Sequence, residues 1–317
     1  MKKLSVSFAV LAALAPMTWG APAIHSNLLE TVQGLFEAKK YGQVIENLPD
    51  QNIENLSHDE QPQAYLLLGL SYSRQGEIDK ALGVLQLAAQ LFPDNINVLS
   101  QLADLLHNEE LSDRAKPLYE RILRIHPNNN AAHLKLAEIE HSQGFLERSI
   151  DHYERCLTEY SKAPEVWRAY AMVLSERGDY PKAVTAIEKS LNLDPHNAQS
   201  LESLAVFQYR QGLYSRADET IRKAIAYAEI KTPLLLEHAL WLLDENKLDA
   251  SLRETQQALQ KYPNNPLGRW IRASIFLRHG DKKNAIQDLR LVASTNERFP
   301  LIASVAQGML ERLEAQQ

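Results

Sequence analysis

Residues 62–95 read PQAYLLLGLSYSRQGEIDKALGVLQLAAQLFPDN, and this arrangement of apolar, small and turn-forming residues returns every 34 residues. Seven such windows follow one another without insertion or deletion, and they begin at Pro62, Ile96, Asn130, Pro164, Ala198, Thr232 and Pro266. A period of this length is typical of proteins that stack copies of one supersecondary unit. A residue is therefore described by its position, 1 to 34, within its window.

Two positions of the repeat hold only small residues. Position 8 is Gly69, Ala103, Ala137, Ala171, Ala205, Ala239 and Ala273, and position 20 is Ala81, Ala115, Ser149, Ala183, Ala217, Ser251 and Ala285. Two helices that cross closely need small side chains where their backbones approach each other. The two columns therefore predict a pair of packed helices in every window.

Turn-forming residues separate the predicted helices. Position 15 is glycine at Gly76, Gly144, Gly178, Gly212 and Gly280, and it is replaced by Glu110 and Asn246 in two windows. Glycine readily adopts the positive φ that ends many helices. Position 32 is proline in four windows, at Pro93, Pro127, Pro195 and Pro263, and proline there stops the second helix.

The first window also carries a recognisable motif: Tyr65-x2-Leu68-Gly69-x2-Tyr72, then Ala81-x3-Leu85, then Pro93. These residues resemble the motif of the tetratricopeptide-repeat (TPR) family, W-x2-L-G-x2-Y followed by A-x3-F and P. The resemblance covers residues 62–299. It implies an all-α TPR solenoid, a right-handed superhelix of seven tandem 34-residue helix–turn–helix repeats.

The segments beside the seven windows fit the same architecture. Residues 24–61 are predicted to be a degenerate N-terminal TPR-like helical pair, with three residues inserted before Pro62 and apolar positions at Leu28, Leu35, Tyr41, Val44 and Leu48. Residues 300–317 are predicted to be a capping helix that covers the last repeat. Its expected apolar stripe is Leu301, Ile302, Val305, Met309 and Leu313.

Polar residues stand at five positions where the repeat calls for apolar ones: Glu140, Gln208, His238, Arg269 and Arg272. Three of the five lie in the last two windows. We therefore expect looser packing towards the C-terminal end of the solenoid.

The first 23 residues have the order of a secretory signal peptide. Met1-Lys2-Lys3 is a positive start, residues 4–15 are mainly apolar, and Ala21-Pro22-Ala23 fits a signal peptidase site. The apolar run is too short to span about 30 Å of hydrocarbon. The only cysteine, Cys156, is too far from this region to carry a lipid anchor. We expect a cleaved protein that begins near Ile24, has no transmembrane anchor, and is periplasmic or, alternatively, secreted.

Charge and motif content narrow the possible functions. A net charge of −6 gives no electrostatic basis for binding nucleic acid. The chain has no G-x-S-x-G, H-E-x-x-H or P-loop motif, so neither catalysis nor a cofactor is predicted. His152 and Cys156 lie four residues apart on a predicted helix, but two ligands fall short of a zinc site. Cys156 is also at position 27 of its window, where small apolar residues are usual, and this favours a buried structural thiol and no metal.

The family resemblance also implies a binding surface. TPR arrays use the concave face of the superhelix, into which positions 2, 5, 6, 9, 12 and 13 of the first helix point. Carried over to this chain, the partner-binding residues are Leu66, Leu70, Arg74, Gln101, Lys135, His141, Arg168, Tyr209, Arg210 and Trp270. Two alternatives stay open. Leu66 and Leu70 either anchor a partner or pack against the N-terminal segment, and Trp270 lies either in the groove or in the core.

The function predicted from these features is a scaffold or adaptor of the bacterial cell envelope that binds a peptide or helix of a protein partner. Pilus or secretion machinery, exopolysaccharide export and cell-wall enzyme complexes are settings suggested by analogy alone. One alternative is a regulatory accessory subunit of an envelope peptidase or cell-wall hydrolase. Another is a self-assembling structural module.

Overall fold

The computed structural model describes residues 26–295 and 299–315, so the predicted signal peptide at residues 1–23 and its cleavage site lie outside the described residues. Across those two ranges the regular structure consists of eighteen α-helices and one short 3₁₀ helix, with no strand. The predicted all-α fold of stacked helix–turn–helix units is therefore confirmed. The chain divides into two compact units between Pro127 and Asn128.

The first unit holds two helix–turn–helix pairs, preceded by three N-terminal helices. Its helices are α1 (Ser26–Glu37), α2 (Tyr41–Asn47), α3 (Asp50–Glu54), α4 (Gln61–Arg74), α5 (Ile78–Leu91), α6 (Ile96–Asn108) and α7 (Ser112–Ile125). Helix α4 pairs with α5, and α6 pairs with α7. One apolar core joins the N-terminal helices to the first pair, with Val32, Val44 and Ile53 fully buried.

The N-terminal segment differs from the expected helical pair because it contains a third helix. Helix α2 ends at Asn47, and Pro49, with φ of −66° and ψ of 158°, separates it from the five-residue helix α3. Proline has no N–H to extend α2, but it is compatible with the residue that precedes a new helix. The segment between Leu48 and Pro62 therefore forms an extra turn of helix, and its Ile53 joins the core.

The second unit holds five helix–turn–helix pairs and a final helix. Its helices are α8 (Asn130–Ser142), α9 (Leu146–Cys156), α10 (Pro164–Glu176), α11 (Tyr180–Leu193), α12 (Ala198–Arg210), α13 (Tyr214–Tyr227), α14 (Thr232–Asp244), α15 (Leu248–Lys261), α16 (Pro266–Arg278), α17 (Lys282–Ala293) and α18 (Pro300–Glu314). The 3₁₀ helix Tyr160–Lys162 precedes α10. Neighbouring first helices touch, since α10 contacts α12 and α14 contacts α16.

Close approach of the paired helices explains the two columns of small residues. The hydroxyl of Ser149 donates a hydrogen bond to the carbonyl of Ala137 at 2.8 Å, directly from position 20 to position 8. Ser251 and Ala239 repeat this contact at 2.6 Å. A Cβ added to Gly69 would lie only 2.7 Å from Cγ of Leu85. A larger residue in either column would therefore push the two helices apart.

The turn at position 15 has the same backbone in every window. The five glycines adopt φ values from 75° to 90°, and Glu110 and Asn246 adopt 64° and 60°. Asparagine tolerates this left-handed conformation, whereas glutamate adopts it at a steric cost. The turn is thus kept even where glycine is absent.

The C-terminal helix α18 packs on α16 and α17, but through a different stripe from the predicted one. Leu301 and Val305 are 85% and 51% exposed, so the prediction is wrong for these two residues. Ala303, Ala306 and Leu310 are buried instead. The small alanines let α18 lie close to its neighbours. A prediction based only on large apolar side chains does not identify this face.

The two arginines that suggested looser packing of the C-terminal repeats have a common partner in the structure. The carboxylate of Asp288, which is 2% exposed, accepts hydrogen bonds from both Arg269 and Arg272. The donor–acceptor distances are 2.9 Å from Arg269 Nη1 and 2.7 Å from Arg272 Nε. The two arginines therefore belong to a buried ionic cluster between α16 and α17.

The other polar departures also lie beside polar side chains. Glu140 lies 3.6 Å from Nε2 of His152, and the side chain of Gln208 accepts a hydrogen bond from Thr220 at 2.9 Å. His238, which is 1% exposed, lies between two carboxylates. Its Nε2 is 2.9 Å from Asp218 and its Nδ1 is 3.3 Å from Glu254.

Candidate partner-binding site

A cavity of about 330 Å³ opens between the first helices α10 and α12 of the second unit. It is lined by Arg168, Met172, Ser175, Glu176, Gln199, Glu202, Ser203, Val206, Phe207 and Arg210. The structure thus brings together Arg168 and Arg210, two residues predicted to face a groove. Met172, which is 36% exposed, lies 3.8 Å from Arg168 through its sulfur. Phe207 is buried and supplies apolar floor.

The cavity wall combines charge of both signs with apolar surface. Arg210 is exposed, whereas Arg168 and Glu202 are half-buried. Ser175 is 4% exposed, and its hydroxyl has no hydrogen-bond partner. A concave surface with apolar floor and a few directional polar groups is suited to binding a segment of another molecule.

Two glutamates from neighbouring repeats share a proton beside this cavity. Glu202 of α12 and Glu237 of α14 are joined by a side-chain hydrogen bond. Burial, followed by the charge of Glu202 and that hydrogen bond, raises the pKa of Glu237 to about 7. Burial also raises the pKa of Glu202, although the hydrogen bond and Arg168 oppose the rise.

Tyr209 lies next to the cavity but is engaged by the neighbouring repeat. Its ring stacks on Trp241 with centroids 4.6 Å apart and planes at 14°. Its hydroxyl donates a hydrogen bond to Asp244 at 2.9 Å. Burial and this hydrogen bond raise the pKa of Tyr209. Tyr209 thus joins α12 to α14.

Sequence reasoning missed both partners of Tyr209. Asp244 is at position 13, which the family rule already places on the groove, so that rule could have found it. Trp241 is at position 10, outside the rule, and only the structure shows that its ring reaches Tyr209.

The two predicted residues of α8 each contact a carboxylate. His141 Nε2 lies 2.9 Å from the carboxylate of Glu176, which is one of the cavity-lining residues of α10. Lys135 pairs at 2.9 Å with Glu138 on its own helix. His141 therefore orients one wall of the cavity, whereas Lys135 belongs to a local pair.

Trp270 does not lie on this cavity. It is half-buried and packs against the apolar cores on both sides of α16. Arg269 occupies position 4, where the repeat usually has an aromatic residue, and its side chain bonds to Asp288. Trp270 follows at position 5, and its ring fills apolar space. The structure thus places Trp270 with the core rather than with the groove residues.

The predicted residues of the first unit are not gathered into a site. Leu66 packs in the apolar core that contains Leu29 and Val32 of α1, and Leu67 is buried in the same core. This favours packing against the N-terminal segment over an anchor pocket. Leu70 and Gln101 are half-buried, and Arg74 is exposed in the last turn of α4.

The His152 and Cys156 pair does not form a metal site. Cys156 is fully buried and its thiol lies 3.3 Å from the carbonyl of Tyr153, while burial raises its pKa to about 12. Nδ1 of His152 lies 2.7 Å from Nδ1 of His133. Within residues 26–295 and 299–315, no group of three or more His, Cys, Asp or Glu side chains is arranged to hold a metal ion. In the same ranges no helix has the length and apolar character needed to cross a membrane.

Stacked pairs with small crossing residues, a glycine-type turn and a ligand-sized cavity between first helices define a repeat protein of the TPR class. Tetratricopeptide-repeat models match residues 72–139, 164–197 and 236–298, which together amount to about half of the chain. The chain belongs to the tetratricopeptide-repeat family. Proteins of this class present extended surfaces that bind other proteins.

Solved structures of low sequence identity share this fold. A tetratricopeptide repeat protein from Parabacteroides merdae has a TM-score of 0.61 at 16% identity, over 80% of this chain and 98% of its own. PilW, described as a widely conserved type IV pilus biogenesis factor, has a TM-score of 0.57 at 16% identity, over 66% and 96%. Pseudomonas aeruginosa pilF has 0.54 at 20%, over 68% and 98%. No curated protein sequence matches the chain.

Proposed function

We propose that this chain is an exported, non-catalytic adaptor of the bacterial cell envelope, and that it binds an extended or helical segment of a protein partner between α10 and α12. The observation that carries the proposal is the convergence of Arg168 and Arg210 on one cavity with an apolar floor. Arginine is enriched at binding hot spots because it combines a long apolar stem with a directional charged group.

The charges around the cavity indicate what the partner segment presents. Arg168, Arg210 and Glu202 all line the cavity, and the charges of the two arginines partly oppose the burial that raises the pKa values of Glu202 and Glu237. A partner segment with both acidic and basic side chains around an apolar residue would complement the charged groups and the apolar floor of the cavity. Charged groups of both signs in a binding surface favour specificity more than raw affinity.

Export is supported by the sequence alone. The positive start, the apolar run and Ala21-Pro22-Ala23 fit a cleaved signal peptide. Pilus or secretion machinery, exopolysaccharide export and cell-wall enzyme complexes remain the proposed settings. Regulation of an envelope peptidase or cell-wall hydrolase is the same binding role with an enzyme as the partner.

Self-assembly is a second candidate, favoured by one observation on the C-terminal helix. Leu301 and Val305 lie one turn apart on the same face of α18 and are largely exposed. Exposed apolar residues that adjoin one another mark candidate protein contacts. Sedimentation analysis decides this candidate: a dimer that becomes monomeric in Leu301→Ser/Val305→Ser supports it, and a monomeric parent excludes it.

The adaptor role is tested by capture from envelope extract. Immobilised protein should retain a partner that the Arg168→Ala/Arg210→Ala variant loses. The matched control is Arg155→Ala/Arg222→Ala, which removes two arginines of second helices that are 58% and 55% exposed. Equal recovery by the parent and both variants would exclude the cavity as the binding site.

A further inference from the structure

A second cavity, of about 310 Å³, lies among α9, α10 and α11, and the proposed groove does not use it. Its apolar residues are Leu157, Trp167, Tyr170 and Ala186, and its polar residues are Glu154, Lys182, Thr185 and Lys189. The volume is at the lower end of ligand-binding cavities and suits a single large side chain.

This cavity and the groove lie on different faces of α10. Trp167 and Tyr170 contribute to the second cavity, whereas Arg168, Met172 and Glu176 contribute to the groove. At 3.6 residues per turn, these two sets point roughly 170° apart around the helix axis. One helix can therefore serve two separate contacts.

The aromatic floor of the second cavity is held in place by hydrogen bonds. Trp167 Nε1 donates to the carbonyl of Ser161 at 2.9 Å, and the hydroxyl of Tyr170 donates to Glu154 at 2.7 Å. The polar ends of both aromatic side chains are thus already bonded. Tyr170 is only 8% exposed, so the half-buried Trp167 supplies the ring surface that an apolar ligand group could reach, at little cost in side-chain ordering.

The rim of the cavity is positively charged. Lys189 Nζ lies 4.2 Å from the centroid of the Trp167 ring, and Lys182 is 64% exposed. Lys182 also lies 3.6 Å from Asp179, and Glu154 is occupied by Tyr170. Lys182, Lys189 and Arg177, which lies 2.9 Å from Asp179, outnumber the carboxylates of Asp179 and Glu154, and this leaves an excess positive charge. The lysines are two turns apart on α11, a rise of about 10.5 Å.

We propose that this cavity is a second protein-binding site, which takes one apolar side chain of an extended partner segment flanked by acidic residues. Three residues of extended chain span about 10 Å, which matches the separation of the lysines along α11. The expected pattern is acid, apolar, any residue, acid. The apolar side chain takes the place of the Lys189 ammonium on the Trp167 ring, and the carboxylates pair with Lys182 and with the displaced Lys189. This site is independent of the groove and would let the chain hold two partner segments together.

The test uses the purified chain and three synthetic peptides. The probe is acetyl-Asp-Phe-Ser-Asp-amide, and the controls are acetyl-Lys-Phe-Ser-Lys-amide and acetyl-Asp-Gly-Ser-Asp-amide. Nuclear magnetic resonance of the ¹⁵N-labelled protein follows the Trp167 indole N–H, which is assigned with Trp167→Phe. We expect a saturable shift with the probe and none with either control.

The charge requirement is tested with Lys182→Glu/Lys189→Glu, whose exposed side chains can be replaced without disturbing the core. We expect its affinity for the probe to fall about tenfold, from two ion pairs of modest strength. Arg168→Glu/Arg210→Glu, on the groove face, should leave probe affinity unchanged. An unmoved Trp167 resonance, equal binding of the basic control, or full affinity in the lysine variant would overturn the second site and leave the groove proposal untouched.

Discussion

Arg272 holds the buried carboxylate of Asp288 through two parallel hydrogen bonds, from Nε at 2.7 Å and from Nη2 at 2.8 Å. Bidentate pairs of this kind are the strong form of the arginine–carboxylate contact. Arg269 adds a third bond to the same carboxylate. The last repeat is therefore stabilised by an ionic cluster at positions where other repeats use apolar packing.

We expect Asp288→Ala to lower the free energy of unfolding by about 3 kcal/mol, because it leaves two partly buried arginines without their carboxylate. Asp151→Ala is the matched control, since Asp151 is 57% exposed and pairs with Arg155 at the surface, and it should cost less than about 1 kcal/mol. Chemical denaturation measures both. Equal midpoints for the two variants would show that the cluster does not stabilise the fold.

The polar cluster could have been predicted by comparing columns of the repeat. Position 23 is polar in four windows, at His152, Thr220, Glu254 and Asp288, and apolar in the other three, at Val84, Leu118 and Ala186. The same four windows carry the polar departures at positions 4, 7 and 11. A buried polar group needs a hydrogen-bond partner. Polar residues that occur at position 23 and at positions 4, 7 or 11 of the same windows therefore already indicate paired side chains.

The sequence predicted the fold more completely than it predicted the candidate site. Periodic small residues and turns predict helix pairs because those features act within one repeat. The register also shows which residues face a groove, and it placed Arg168 and Arg210 there. The register does not show which side chains contact each other across repeats. The stacking of Tyr209 on Trp241 and the packing of Trp270 against the core are therefore known only from the structure.

Ala171→Leu tests the close helix crossing. Ala171 is fully buried at position 8, and a larger side chain there forces α10 and α11 apart, which should cost about 1–3 kcal/mol. Ala226→Leu serves as the control because Ala226 is exposed within α13. An unchanged denaturation midpoint for Ala171→Leu would show that the register of the repeat is wrong.

Glu237→Gln tests the shared proton between α12 and α14. The folded-state pKa of Glu237 is raised from 4.5 to about 7, so the fold favours the protonated form. This group therefore contributes stability below pH 4.5, and that stability is lost as pH rises towards 7. Glutamine keeps a neutral side chain at every pH. We expect the variant to melt at a higher temperature than the parent at pH 8 and at a similar temperature at pH 4.

The control for this pH dependence is Glu229→Gln, which changes an exposed carboxylate. Its melting temperature should follow that of the parent across the whole range. If Glu237→Gln also follows the parent from pH 4 to pH 8, the two carboxylates do not share a proton in solution.

Export predicts a defined N-terminus. Protein purified from its native compartment should begin near Ile24, because cleavage is expected after Ala21-Pro22-Ala23. Intact-mass spectrometry measures this directly. A mass that corresponds to the full chain, or one that includes a lipid, would contradict a cleaved and unanchored protein.

The most direct test of partner binding between α10 and α12 is titration calorimetry with the captured partner. We expect Arg168→Ala/Arg210→Ala to weaken binding by about 2 kcal/mol or more, roughly a thirtyfold rise in Kd, while the melting temperature stays near that of the parent. The surface control Arg155→Ala/Arg222→Ala should bind like the parent. A Kd that stays within about twofold of the parent in the Arg168→Ala/Arg210→Ala variant would contradict the groove as the binding site.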